Sequence, residues 1–215
     1  MISLSARALL FDMDGTLVDS TVVVELVWAR FAERFGLDLA EILKTSHGRR
    51  MEDSILRFGP EGVDVEAQKK DLSDYEFVTT EGVVAVPGAP EFVRSLPGDH
   101  IAVVTSAGRD LATMRMLSVD VPMPVVLVGA EDVTSGKPHP EPYLTAAAAL
   151  GANPGDTVVF EDADAGIESG LAAGMRVIVV GDAAGEIARD LPRIRDYRQI
   201  SATVDGGRIT LTITD

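Results

Sequence analysis

The chain has 215 residues, enough for one large or two small domains, and its 46% hydrophobic content excludes wholesale disorder. It has no cysteine, which excludes disulfides, thiol catalysis and cysteine-ligated metals and suits a cytoplasmic protein. A formal charge of −15, from 34 acids against 19 Lys and Arg, makes nucleic acid and anionic membranes poor partners, and no apolar run approaches the roughly 18 residues of a membrane span.

In chain order, residues 7–11 form a short apolar run that reads as a buried strand ending in Asp12 and Asp14. Residues 22–35 change period: Val23, Leu26, Val27, Arg30, Phe31, Arg34 and Phe35 fit helical spacing, and Gly36 is a stop. Residues 37–84 continue as charged, helix-like pieces broken at Gly48, Gly59-Pro60 and Gly82, with no clear strand. After Val86-Pro87-Gly88 the rhythm becomes strand and helix in alternation. Strands are expected at 101–105, 125–128, 157–160 and 176–180, and helices at 109–117, 140–150 and 165–173. That alternation implies parallel βαβ units. The tail, 200–213, alternates about Asp205-Gly206-Gly207 and predicts an antiparallel hairpin at a sheet edge. The expected fold is therefore α/β: a Rossmann-like parallel sheet with helices on both faces and a small inserted helical cap. Residues 1–18 and 87–215 make the core and 19–86 the cap, whose connections at 16–20 and 84–88 should lie side by side as hinges.

Ligands of open parallel sheets bind beyond the carboxyl ends of the strands. Polar groups gather at those ends: Asp12 and Asp14, Thr105-Ser106, and Glu161-Asp162, with Lys137 in the loop after the third strand. Adjacent carboxylates repel unless a cation is shared, and an oxygen-only donor set favours Mg²⁺. In the cap, His47, Arg49 and Arg50 form the most cationic short stretch of residues 37–60 and are candidates to reach into the crevice. His100 and His139 read as structural, and Trp28 as cap packing.

The chain resembles the haloacid dehalogenase superfamily along essentially its whole length. The resemblance rests on four motifs in order: Asp12-Met13-Asp14-Gly15-Thr16, Thr105-Ser106, Lys137-Pro138 and Glu161-Asp162-Ala163-Asp164. Stretches such as "VVTSAGRD", "GKPHPEPYL" and "FEDADAGIESGLAAGM" are similar to the sugar and polyol phosphatases. The resemblance implies a Mg²⁺-dependent phosphatase acting through an aspartyl-phosphate on a small phosphorylated sugar or polyol. Asp12 would be the nucleophile, Asp14 the general acid and base, and Lys137 the neutralising cation. Met13 (through its backbone N–H), Thr105, Ser106, His47, Arg49 and Arg50 would bind substrate. Asp12, Asp14 (through its carbonyl), Glu161 and Asp162 would hold the metal, Glu161 directly or through water. A monomer is expected, since no apolar stripe is left over.

Three alternatives remain; one, a phosphonate hydrolase, would want a cap lysine for a Schiff base, and Lys44, Lys69 and Lys70 stand in no matching context. A sugar phosphomutase of the β-phosphoglucomutase type shares cap and motifs, but has a cap histidine where Val24 stands and a phosphate-gripping arginine where Met51 stands. A non-catalytic phospho-ligand binder would have no need of Asp14.

Overall fold

The computed structural model describes residues 2–182 and 185–214. Strand β1 (Ile2–Ala6) is followed, after Arg7 alone, by β2 (Ala8–Phe11), and the two-residue β3 (Val18–Asp19) leads into four helices. These are α1 (Thr21–Phe35), α2 (Leu39–Ser46), α3 (Met51–Phe58) and α4 (Val65–Val78), and β4 (Val84–Ala85) closes the segment. Alternation follows: α5 (Ala89–Arg94), β5 (Ile101–Val104), α6 (Arg109–Ser118), β6 (Val126–Val128), α7 (Glu141–Ala149), β7 (Thr157–Glu161), α8 (Asp164–Ala172) and β8 (Arg176–Val180). The last strands are β9 (Arg193–Ile194), β10 (Ile200–Asp205) and β11 (Arg208–Ile213).

Six strands form one parallel sheet in the order β6-β5-β2-β7-β8-β9. Successive side chains of a strand point to opposite faces, and here both faces are covered, so β2, β5 and β6 are apolar throughout. Leu9, Phe11, Val103, Val158 and Phe160 pack on one face against Phe92 of α5 and Ala112 and Met116 of α6. Leu10, Ala102, Val104 and Val159 pack on the other against Tyr143 and Ala146 of α7 and Ile167 of α8. Phe11 and Phe160 lie opposite each other in register and stack at 4.7 Å. β2 thus sits at the centre of the sheet, so the residues just past its end stand in the middle of the crevice.

The tail forms the expected hairpin, but not on an edge of the parallel sheet. β11 pairs with both β10 and β1 in a separate three-stranded antiparallel sheet. Its Ile209, Leu211 and Ile213 cover the first face of the parallel sheet. The physical reason is partnering: β1 offers a second edge that a period-two reading of the tail alone does not supply.

Helices α1–α4 bury a cluster of their own, with Val27, Trp28, Phe31, Ile42, Ile55 and Leu72 at its centre. Local chemistry sets their ends. Gly36 takes the left-handed conformation and its N–H bonds back to Ala32 O. Asp38 and Asp64 accept from the N–H groups of Ala40 and Ala67 at the starts of α2 and α4. The two connections to the rest of the chain run together: β3 pairs with β4, Val18 opposite Ala85 and Asp19 opposite Val84. Among the described residues, no helix is long and apolar enough to cross a membrane.

Candidate active site

Asp12 follows directly on β2, and its N–H still bonds to Phe160 O of β7 at 3.0 Å. Its carboxylate is buried and accepts from Lys137 Nζ at 2.5 Å. The same ammonium donates to Glu161 Oε1 at 2.6 Å and to Val104 O at 3.0 Å, so all three of its protons have acceptors. Lys137 arrives from the loop between β6 and α7. Glu141 at the start of α7 ties that loop down by accepting from the N–H groups of Thr134 and Ser135. His139 belongs to the same scaffold, its carbonyl accepting from Ser169 Oγ, and His100 Nδ1 contacts Arg7 O.

Glu161 ends β7 with no exposure at all. One oxygen accepts from Lys137 and from Tyr143 Oη at 2.7 Å; the other faces the N–H groups of Asp162 and Ala163. Four donors therefore surround it. The backbone makes room for this: a Cβ on Gly166 would fall 1.6 Å from Glu161 Oε1. Asp162 turns the other way and accepts from Thr16 Oγ1 at 3.1 Å. Gly15 is in the left-handed region at φ 84°, and a Cβ there would fall 2.0 Å from Asp162 Oδ2, so the turn after β2 admits only glycine.

The electrostatics call for a cation. Burial pushes the Asp12 carboxyl up to about 8, against the pull of Lys137 and with the repulsion of Glu161 and Asp14. Burial likewise pushes Asp162 well above the carboxylate range, with Asp12 and Glu161 adding to it. Burial acts to lower Lys137, but Asp12 and Glu161 outweigh it and hold the lysine above its ordinary value. Asp12, Glu161 and Asp162 each offer an oxygen within 4.8 Å of the others. One lysine does not balance this group. A largely buried set of hard oxygen donors with excess negative charge fits a divalent cation.

Asp14 stands beside them, about a quarter exposed. Its Oδ1 accepts from Ser20 Oγ at 2.5 Å and from Arg115 Nη1 at 2.8 Å. Arg115 is buried on α6, and its Nη2 donates to Glu76 Oε1 of α4 at 2.9 Å. Burial pushes Glu76 up while Arg115 pulls it down. Sequence reasoning did not find this pair. The signal was available: Leu111, Ala112, Arg115 and Met116 make up the buried face of α6, and Arg115 is the one charge on it.

Above these groups lies a cavity of about 960 Å³ between the sheet ends and α1–α4. Asp12, Asp14, Thr105, Ser106 and Asp162 line its floor, and His47, Arg49, Val24 and Met51 line its roof. Lys137 and Glu161 lie beneath the floor. The Met13 side chain is fully buried in the core, as expected for the residue between two outward acids. Arg50 does not face the cavity. Its guanidinium pairs with Asp53 at 3.0 Å and donates to Thr134 O at 3.1 Å, bracing α3 against the Lys137 loop. Roof and floor touch again where Ser106 Oγ donates to Gly48 O at 2.8 Å. The Thr105 hydroxyl accepts from Ala107 N at 3.0 Å, which orients it at the end of β5.

Residues 9–180 match the family model described as haloacid dehalogenase-like hydrolase. This chain belongs to that family. Hexitol phosphatase A of Escherichia coli is 40% identical over 210 residues, covering 96% of this chain and 94% of the relative. Glycerol-1-phosphate phosphohydrolase 2 of Saccharomyces cerevisiae is 35% identical over 188 residues, covering 82% of this chain and 75% of the relative. CbbY from Rhodobacter sphaeroides, solved in complex with phosphate, shares the fold with a TM-score of 0.75 over 89% of this chain and 95% of its own, at 19% identity.

Proposed function

We propose that this haloacid dehalogenase-like hydrolase is a phosphatase for phosphomonoesters of small sugars or polyols, working through an aspartyl-phosphate with Mg²⁺ as its metal. The observation that carries the reading is the buried Asp12–Lys137 pair at 2.5 Å, beside a second acid, Asp14, under a cavity of about 960 Å³. The substrate class follows the names of the relatives, a hexitol phosphatase and a glycerol-1-phosphate phosphohydrolase. A cavity of this size leaves room for a small polyhydroxylated group above the phosphate.

Asp12 is the nucleophile: its free oxygen bonds to phosphorus as the ester P–O bond breaks. Asp14 gives its proton to the departing oxygen, then takes one from the water that cleaves the aspartyl-phosphate. Thr105 and the backbone N–H groups of Met13 and Ser106 bind phosphoryl oxygens, and Lys137 balances charge from below. Asp12, the Asp14 carbonyl and Asp162 would hold the cation. Glu161, its oxygens already occupied by four donors, would act through water and by fixing Lys137. When bound, the cation supplies the positive charge that lets a carboxylate approach a phosphate dianion. Residues 19–86 act as a cap that excludes bulk water, with His47 and Arg49 as the roof groups nearest the substrate's hydroxyls.

Hydrolysis is favoured over phosphomutase chemistry by two roof positions. Val24 and Met51 both line the cavity. A valine relays no proton and a methionine holds no second phosphate. A phosphate-release screen over hexitol, hexose, pentose and glycerol phosphates with Mg²⁺ tests the reading. In parallel, β-glucose 1-phosphate with a trace of its bisphosphate is followed by NMR. Phosphate release from the polyol and sugar esters, with negligible isomerisation, is expected; isomerisation outrunning release would replace phosphatase by mutase.

A further inference from the structure

We propose that Arg115 is a positioning residue for the reaction, holding Asp14 in its working orientation only when Glu76 of the cap is in place. This rests on the phosphatase reading above. Asp14 leaves the end of β2 on a short loop, and nothing in that loop alone fixes its side chain. Two donors do. Ser20 Oγ and Arg115 Nη1 both hold the same oxygen, Oδ1, at 2.5 and 2.8 Å. Among the described residues no hydrogen bond engages Oδ2, which leaves that oxygen for the cavity that Asp14 lines.

Arg115 itself is 2% exposed, and a buried guanidinium with one partner would be poorly compensated. Its second partner comes from the other side of the cavity. Glu76 sits on α4, whose neighbours are α1 and α3, and is 8% exposed. It takes Nη2 at 2.9 Å. The guanidinium is a rigid planar fork, so fixing Nη2 fixes the direction of Nη1. Removing Glu76, by mutation or by lifting α4, frees the fork to rotate and releases Asp14 Oδ1 from one of its two restraints. The acid is thus set by a residue that reports where the cap is.

The reaction distinguishes this role from plain support of the fold. As the Asp12 oxygen bonds to phosphorus, the ester P–O electron pair goes to the leaving oxygen. An alkoxide leaving group needs the Asp14 proton at that moment, whereas p-nitrophenoxide leaves without one. The experiment is single-turnover cleavage, with enzyme in excess and Mg²⁺ present, of glycerol 1-phosphate and of p-nitrophenyl phosphate. Arg115→Met should slow the glycerol ester by about 10²-fold and the aryl ester by less than about threefold. Arg115→Lys should recover part of the loss, and Glu76→Gln, which keeps shape and an acceptor, should show the same ester selectivity to a smaller degree. Should Arg115→Met fail to fold, the Lys and Gln variants carry the same comparison. Equal losses on the two esters, or no loss, would overturn the assignment and leave the phosphatase reading standing. If the wild-type protein cleaves neither, the same variants are compared on the sugar or polyol ester it does cleave, and release from none of them removes both readings.

Discussion

The floor and the roof of the cavity are built by different rules. On and just beneath the floor, charged groups are held by protein partners: Lys137 has three acceptors, Glu161 four donors, and Asp14 Oδ1 two. On the roof, Val24, Trp28 and Met51 present apolar surface, and Lys69 leans on Glu52 at 3.2 Å with both partly exposed. Groups fixed in this way suit chemistry that must move charge without reorganisation. A roof of apolar surface with a few adjustable charges can receive several related molecules. On the proposed function, chemistry would reside chiefly in the floor and selectivity in the roof, with Arg115 and Glu76 as the link between them.

Four experiments would break or sharpen that division. The largest effect belongs to the floor: Asp12→Asn should reduce phosphate release by at least about 10³-fold on every substrate while the circular dichroism spectrum stays unchanged. The amide keeps the shape, and Lys137 retains Glu161 and Val104. Turnover equal to wild type would remove the covalent mechanism. Chelating the metal comes next. EDTA should suppress release by more than about 10²-fold, and added Mg²⁺ should restore it and raise the melting temperature, since a ligand bound only by the folded state stabilises it. Full activity in EDTA would mean that the carboxylate group is balanced in some other way.

Changing the roof should act by substrate rather than uniformly. Met51→Ala and Lys69→Ala should alter the ratio of kcat/KM between hexitol and glycerol phosphates by up to about tenfold, with p-nitrophenyl phosphate little affected. A uniform loss across the panel would show that roof and floor are not separable. The smallest effect concerns the outer surface of α1 and α4. Arg30 and Arg34 hold the Asp71 carboxyl down to about 2 from an ordinary 3.8. A carboxyl lowered in the folded state adds stability above its unfolded value and loses it as pH falls through the folded one. The difference in melting temperature between wild type and Asp71→Asn should therefore be present at neutral pH and shrink between about pH 4 and pH 2. These groups are exposed, so the shift should be slight. A difference independent of pH would assign it to something other than this ion pair.

Asp12-Met13-Asp14, Thr105-Ser106 and Glu161-Asp162 were legible in the sequence as contiguous motifs at strand ends, which converge in a parallel sheet, whereas Lys137 comes from the loop after β6. Asp12, Thr105 and Asp162 line one cavity, with Lys137 beneath them, without any knowledge of side-chain packing. The roof was not legible in the same way. Arg50 is two residues beyond Gly48, yet α3 begins there and Asp53, one turn on, captures the guanidinium. Arg115 was hidden by the opposite effect: its partners lie 101 and 39 residues away, and only tertiary packing shows that a charge on the buried face of α6 has two acceptors. Among the strands, β3, β4 and β9 have two residues each, too few for any period to register, and β1 was lost because Arg7 alone separates it from β2.

The antiparallel sheet has one more consequence. Ile2 of β1 lies opposite Ile213 of β11, so the two ends of the described fold are neighbours, about 5 Å apart at their Cα atoms as in any antiparallel pair. Their order along the chain is therefore separable from their place in space. A linker of a few residues could join them, and the chain could be reopened at the exposed Glu61–Gly62 turn between α3 and α4. The permuted polypeptide would begin just before α4 and end just after α3, with Asp12, Lys137 and Asp162 still in its interior.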